Sequence, residues 1–155
     1  LLMRPWIAER FKEETLWCGL TSYAHPISCA AAVASIEAYR EDGLIDHAKE
    51  LGVWLKAQLS EGLGGLSHEA WYGEGRCLGL FGTLEFKASA LSALQGGEPA
   101  FAQALKSELK ARRVHALYKD HNLFITPPLC ITKAQLSEGL ELTLEATRAA
   151  LERLS

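Results

Sequence analysis

Apolar residues recur every three or four positions in three long stretches of the chain, and this spacing predicts three amphipathic helices. The inward-facing positions would be Leu44, Ala48, Leu51, Leu55 and Leu59; Phe101, Leu105 and Leu109; and Leu136, Leu140, Leu144, Thr147, Leu151 and Leu154. Residues 27–41 are crowded with alanine and other small residues, so we predict a deeply packed helix there. Pro5 opens a shorter predicted helix that continues to about Glu14.

The pattern changes at residues 78–86, where side chains alternate with a period of two and predict one strand. Two shorter strands are predicted at 114–117 and 123–126, and the polar turn between them would make a hairpin. Residues 89–99 are predicted to form a linker-like loop. Thr132 and Gln135 fit a capping box at the start of the last helix. Long helices packed on a small antiparallel sheet give an α+β fold.

The loop at residues 15–25 carries the clearest concentration of hydroxyl groups. Thr21, Ser22 and Tyr23 stand just ahead of Pro26, which opens the Ala-rich helix. A helix N-terminus presents free N–H groups and the positive end of the helix dipole, so phosphate could be held there. Hydroxyl residues also cap helices in general, so a phosphate site and simple capping chemistry both remain open.

The composition describes one ordinary globular domain. The chain has 155 residues, of which 48% are hydrophobic and 23% charged, with a net charge of −3. This charge gives no reason to expect nucleic acid or a membrane as a partner. Basic residues are scattered except at 110–113, which we interpret as a solvated helix end. The four cysteines are far apart, which predicts a reducing, cytoplasmic setting.

Catalytic constellations are not visible in the pattern. The five histidines are dispersed, and neither a metal-ligand cluster nor a Ser/His/Asp order can be read from them, so we predict no metal site. His47 lies on the polar side of its helix and is expected to be solvated. Arg76, which precedes the predicted strand, could clamp a substrate carboxylate with both guanidinium nitrogens. A structural salt bridge at the strand start is the equal alternative.

Four motifs stand in order along the chain: Gly-Leu-Thr-Ser-Tyr-Ala-His-Pro at 19–26 with Cys-Ala-Ala-Ala at 29–32, Glu-Asp-Gly-Leu-Ile at 41–45, Gly-Arg-Cys-Leu-Gly-Leu-Phe at 75–81, and Pro-Pro-Leu-Cys-Ile-Thr at 127–132. Together they resemble class III (omega-type) aminotransferases, which are pyridoxal-phosphate enzymes of fold type I. The resemblance covers essentially the whole chain. It implies an α+β chain that forms the C-terminal portion of such an enzyme.

The resemblance also implies a domain division and a cofactor site. Residues 1–42 would end the large cofactor-binding domain, and residues 43–155 would form the small C-terminal domain. Because the chain opens in mid-pattern at Leu1, we expect a piece of a longer enzyme. In the family, the threonine that matches Thr21 hydrogen-bonds the phosphate of pyridoxal 5'-phosphate in the partner subunit's site, and Ser22 is adjacent. A homodimer or a higher oligomer is therefore expected.

The family's reaction moves an amino group from an amine or amino acid to a 2-oxo acid. Its Schiff-base lysine and its pyridine-binding aspartate would lie upstream, in the missing N-terminal portion, and none of the lysines here stands in the lysine motif. The resemblance therefore implies no catalytic residue in this chain, which we expect to be inactive alone.

Departures from the family pattern affect the substrate. Several family members that use amino-acid substrates carry an arginine three residues before Pro-Pro, and here that residue is Phe124. Omega-type members use an arginine in the preceding turn, for which Lys119 is the nearest match. Cys77 and Ala24 each replace a usual glycine. The candidates for substrate binding are therefore Arg76 and Lys119.

Two alternatives accompany this interpretation. The chain could be a non-catalytic dimerisation or interaction module derived from the aminotransferase fold, in agreement with the missing lysine. An isomerase or mutase of the same fold would share the C-terminal architecture.

Overall fold

The computed structural model describes residues 4–15, 17, 19, 21, 23–62 and 69–155, with the backbone alone at 61 and 62. The chain forms two compact units, Leu1–Glu37 and Ala38–Ser155. The predicted division at residue 42 concerns the domains of a longer enzyme and stays a prediction.

The first helix is shorter than predicted. Helix α1 spans Pro5–Glu9 and starts with proline as expected, but turns and bends replace the predicted helix before Glu14. The Phe11 N–H donates to the Ala8 carbonyl at 3.0 Å, a three-residue spacing typical of a tightening last turn. Glu13 and Glu14 would put negative charge at the negative end of a longer helix, which disfavours its continuation.

Helix α2 spans Pro26–Glu41, and its first bond runs from the Cys29 N–H to the His25 carbonyl at 2.9 Å. None of its residues is buried, and Ile27, Val33 and Ile36 are 75%, 55% and 54% exposed. The described residues therefore do not provide the deep packing that we predicted. Alanine has the highest intrinsic helix propensity, so the segment is helical without a buried face.

Four antiparallel strands form one sheet in the order β1-β2-β4-β3. Their bounds are Tyr72–Leu78 for β1, Phe81–Phe86 for β2, Leu117–Lys119 for β3 and Asn122–Ile125 for β4. The β3–β4 hairpin confirms the prediction, with bounds shifted along the chain. Asp120 and His121 connect it with φ angles of 50° and 62°, which suit the twist of a two-residue hairpin loop.

The predicted single strand at 78–86 was wrong, because the chain reverses at residues 79 and 80. Gly79 has a φ of +57°, a conformation that glycine adopts without steric cost. Strand β1 was not predicted, because glycines interrupt its alternation of side chains. At Gly75 a side chain would collide with the carbonyl of Leu59, so close packing requires the glycine that hides the pattern.

The helices cover one face of the sheet. They are α3 (Leu44–Ala57), which continues into a π-helical turn at Gln58–Gly62, α4 (Ala88–Ser92), α5 (Gly97–Ala111) and α6 (Lys133–Glu152). Helix α4 replaces part of the loop predicted at 89–99, because Leu91 is 1% exposed and holds this segment against the core. The capping box of α6 is confirmed: the Gln135 N–H donates to the Thr132 hydroxyl at 3.2 Å.

The core centres on Phe86, which stacks on Trp71 at 5.1 Å between ring centroids and tilts against Phe101 at 5.0 Å. The predicted inward stripes of α3, α5 and α6 supply nearly half of the other buried side chains. The predicted α+β class, with long helices on a small antiparallel sheet, is confirmed.

Candidate functional site

The sheet has a second face that helices α3 to α6 do not cover, and we call it the open face. Strand register places its members in cross-strand rows: Leu78 with Phe81; Arg76 with Thr83, Phe124 and Leu117; and Glu85 with Asn122 and Lys119. The row with Leu78 and Phe81 is apolar and the row with Glu85 is polar. Both predicted substrate-binding residues, Arg76 and Lys119, therefore lie on this one face.

Arg76 forms a network with two carboxylates. Its guanidinium donates to Glu85 at 2.8 Å and to Glu74 at 3.1 Å, and its other terminal nitrogen donates to the Asn122 side-chain oxygen at 3.3 Å. The hydrogen bond to Glu85, followed by the attraction of both carboxylates, raises the pKa of Arg76. The structure thus contains the carboxylates that a structural salt bridge of Arg76 requires. Its role as a clamp for a substrate carboxylate stays a prediction. The side chain is 52% exposed, so its guanidinium is accessible to a ligand.

Lys119 ends β3 and pairs across the hairpin with Asn122. Its ammonium lies 3.8 Å from an Asp120 carboxylate oxygen, and the Lys119 side chain is 70% exposed. Asn122 accepts from Arg76 and lies between Glu85 and Lys119 in the polar row. The fold therefore gathers two cations, an amide and three carboxylates at one end of the open face.

Apolar side chains occupy the other end of the open face. Leu78, Phe81 and Leu117 are 86%, 59% and 61% exposed, an unusual concentration for one face of a small sheet. Phe124 packs edge-on against Phe81 at 6.1 Å between ring centroids. The position that carries arginine in some relatives of the suspected family is thus part of an aromatic pair.

The predicted phosphate loop lies in the first unit. Thr21 is an exposed turn residue, and Ser22 lies outside the described residues. The N–H groups of Ile27 and Ser28 precede the first intrahelical bond of α2, which Cys29 donates. Such N–H groups at a helix N-terminus can bind one phosphate group. The assignment of Thr21 and Ser22 to the cofactor stays a prediction.

Sequence reasoning missed a half-buried cluster around Glu98. This carboxylate accepts from the Tyr118 hydroxyl at 3.0 Å and from the His121 backbone N–H at 3.3 Å, and it lies 2.7 Å from the His121 ring. Burial, followed by the hydrogen bond to Glu98, raises the pKa of Tyr118 well above its usual range. No local signal could find the cluster, because its members lie on different elements.

His47 was predicted to be solvated, and this was wrong. Its Nε2 lies 2.8 Å from the Ile131 carbonyl oxygen, to which a protonated nitrogen donates. The bond joins α3 to the segment after Pro127-Pro128, so the histidine is structural. In the described part of the chain, no group of three or more His, Cys, Asp or Glu side chains could hold a metal ion. No helix among the described residues is both long and apolar enough to cross a membrane.

Comparisons with known sequences give the family. The profile described as Aminotransferase class-III matches residues 2–146. Over 125 residues the chain is 33% identical to the mitochondrial ornithine aminotransferase of Arabidopsis thaliana, covering 79% of this chain and 24% of that protein. It is 26% identical over 138 residues to the probable gamma-aminobutyrate transaminase 3 of Oryza sativa subsp. indica, covering 88% of this chain and 26% of the relative.

Solved structures agree in fold. Taurine:2-oxoglutarate aminotransferase from Bifidobacterium kashiwanohense, in complex with pyridoxal phosphate and glutamate, matches with a TM-score of 0.80 and 29% identity over 96% of this chain and 34% of that one. An aminotransferase from Vibrio fluvialis matches in fold with a TM-score of 0.82 at 20% identity. The chain spans about a quarter to a third of the length of these relatives. With the family profile matching residues 2–146, the chain belongs to the class III aminotransferases, whose cofactor is pyridoxal 5'-phosphate as predicted.

Proposed function

We propose that this chain is the C-terminal portion of an omega-type aminotransferase, which moves an amino group from an amine or amino acid to a 2-oxo acid. One observation carries the proposal: 96% of the chain matches a taurine:2-oxoglutarate aminotransferase that holds pyridoxal phosphate and glutamate. When bound, pyridoxal phosphate supplies the electron sink for amino transfer, and the protein supplies binding and orientation.

In this proposal Thr21 and Ser22 bind the cofactor phosphate, together with the free N–H groups of α2. The resemblance gives this contact to the neighbouring subunit's site, so the whole enzyme would be a homodimer or a higher oligomer. The exposed position of Thr21 supports the assignment, since the hydroxyl is accessible for a contact across an interface.

Arg76 and Lys119 would orient a substrate carboxylate at the polar end of the open face. Arg76 already contacts two carboxylates, and its contact with Glu74 is longer than its contact with Glu85. An incoming carboxylate would therefore replace Glu74 first, because that pair is weaker and exposed. Phe81 and Phe124 would contact the rest of the substrate and exclude water from that side.

We propose further that this chain has no turnover by itself, because none of its lysines stands in the family's lysine motif. The test compares the intact mass of the expressed protein with that of this chain, records its visible absorption with pyridoxal phosphate, and assays amino transfer. A heavier product with a lysine-bound cofactor spectrum and activity supports the proposal. Turnover by the 155-residue chain alone would contradict the inference that none of its lysines is the Schiff-base lysine.

A second candidate, the interaction module, has an observation in its favour. Helix α2 leaves Val33 and Ile36, which are one turn apart, exposed, and such an apolar patch is typical of an association surface. A protein made at this length that associates and stays colourless with added cofactor would support the module and contradict the enzyme. We expect a cytoplasmic protein, whereas the names of the two plant relatives assign those proteins to mitochondria.

A further inference from the structure

We propose that the cleft between helix α5 and strand β3 binds a small organic anion with two or more negative charges. The cleft has a volume of about 890 Å³, which lies in the size range of small-molecule sites. Its lining residues lie on α5 and at 113–118, and of these Leu117 also belongs to the open face.

Four basic side chains line the cleft: Lys106, Lys110, Arg113 and His115. The two lysines are one helical turn apart on α5, so their ammonium groups lie on the same side. Arg113 has a φ of 59°, a conformation uncommon for a residue with a side chain. This left-handed residue reverses the chain after α5 and brings the arginine to the same cleft as the lysines.

Among the described residues, no carboxylate forms an ion pair with these basic side chains. None of the described residues that line the cleft is acidic. The nearby acids contact other groups: Glu108 and Glu145 pair with Arg112, and Glu98 contacts Tyr118 and His121. Because the whole chain is acidic, with a net charge of −3, such a local excess of cations is not a consequence of its composition. An anion would relieve the repulsion between them and gain charge-assisted hydrogen bonds.

The remaining walls suit the carbon skeleton and polar groups of an organic anion. Leu109, Val114 and Ala116 give the cleft apolar surface. Strand β3 is at the sheet edge, so one side of its backbone has no strand partner and can offer N–H donors. Few convergent charges in an otherwise apolar cleft are the arrangement expected for a small-molecule ligand.

Calorimetric titration of the protein as naturally produced, with its cofactor bound and at low ionic strength, tests the proposal. The probes are inorganic pyrophosphate and citrate, in separate experiments. We compare the double variant Lys106→Glu/Lys110→Glu with the control Lys49→Glu/Lys56→Glu, which changes the net charge equally on exposed positions of α3. Saturable binding is expected to weaken at least about tenfold in the cleft variant and to change little in the control.

Binding of pyrophosphate alone would assign the cleft to phosphate compounds, and binding of citrate alone to carboxylates; either result supports an anion site. Amide NMR shifts on titration should centre on residues 113–118. The proposal is overturned if neither probe saturates, if both variants weaken binding equally, or if the shifts centre on the loop before α2. Amino transfer is not a readout, so failure here leaves the proposed function untouched.

Discussion

The two faces of the sheet are formed by the same strands, but their side chains differ in burial. On the covered face, Leu84, Phe86 and Leu123 are at most 1% exposed. On the open face, Phe81 and Glu85 of strand β2 stay accessible. Alternation along a strand separates these roles residue by residue. Substitutions on the covered face should therefore change the stability of the fold, and substitutions on the open face should change the candidate chemistry, almost independently of each other.

The largest effect is expected for Phe86→Ala on the covered face. Removing a ring that contacts Trp71, Phe101 and Tyr118 should lower the free energy of unfolding by about 3–5 kcal/mol. Phe81→Ala on the open face should cost under about 1 kcal/mol, the range of an exposed aromatic pair. Urea denaturation measures both, and equal losses would show that the two faces are not distinct.

A second prediction concerns the close packing beneath β1. Gly75→Ala places a methyl group against the Leu59 carbonyl and should destabilise the fold by about 1–3 kcal/mol. Gly139 offers a matched control, because it lies in α6 with nothing within 4 Å of an added methyl. Gly139→Ala should stabilise by about 0.5–1 kcal/mol, since alanine is the better helix former. Thermal melts that rank the two variants in the opposite order would refute the packing argument.

The third prediction uses the pH dependence of Tyr118. Its pKa is raised in the folded state, mainly by burial, so its contribution is complete below the unfolded value of about 10 and is lost as the pH rises above it. The stability advantage of the natural protein over Tyr118→Phe should therefore shrink above that pH. Urea titrations over the alkaline range measure the difference. An advantage that stays constant or grows would contradict a raised pKa.

Arg76 should give the smallest change in stability. Its side chain is 52% exposed, so Arg76→Gln should leave the free energy of unfolding almost unchanged. If the proposed function is right, KM for a carboxylate substrate should rise by about ten- to a hundredfold in the whole enzyme. Arg76→Lys keeps the charge without the planar fork and should recover part of the affinity. A stability loss as large as that of Phe86→Ala would make Arg76 a structural residue.

Elements with a strong local signal were predicted well. The α3, α5 and α6 stripes and the Thr132 capping box depend on residues within a few positions of one another, so periodicity and side-chain type are sufficient. The β1–β2 turn failed because Leu78, Leu80 and Leu84 keep their alternation straight through the reversal at Gly79. The same period of two is found in one continuous strand and in two strands that are joined by a turn with an even number of residues.

By itself the sequence determined the α+β class, the four family motifs and the candidate residues Arg76 and Lys119. These follow from local pattern and spacing. Tertiary structure alone decided what those residues contact. Arg76 contacts Glu85 and Asn122 from two other strands, and Lys106 shares a cleft with His115. Such contacts depend on strand register and helix packing, which bring together residues that carry no signal of one another in sequence.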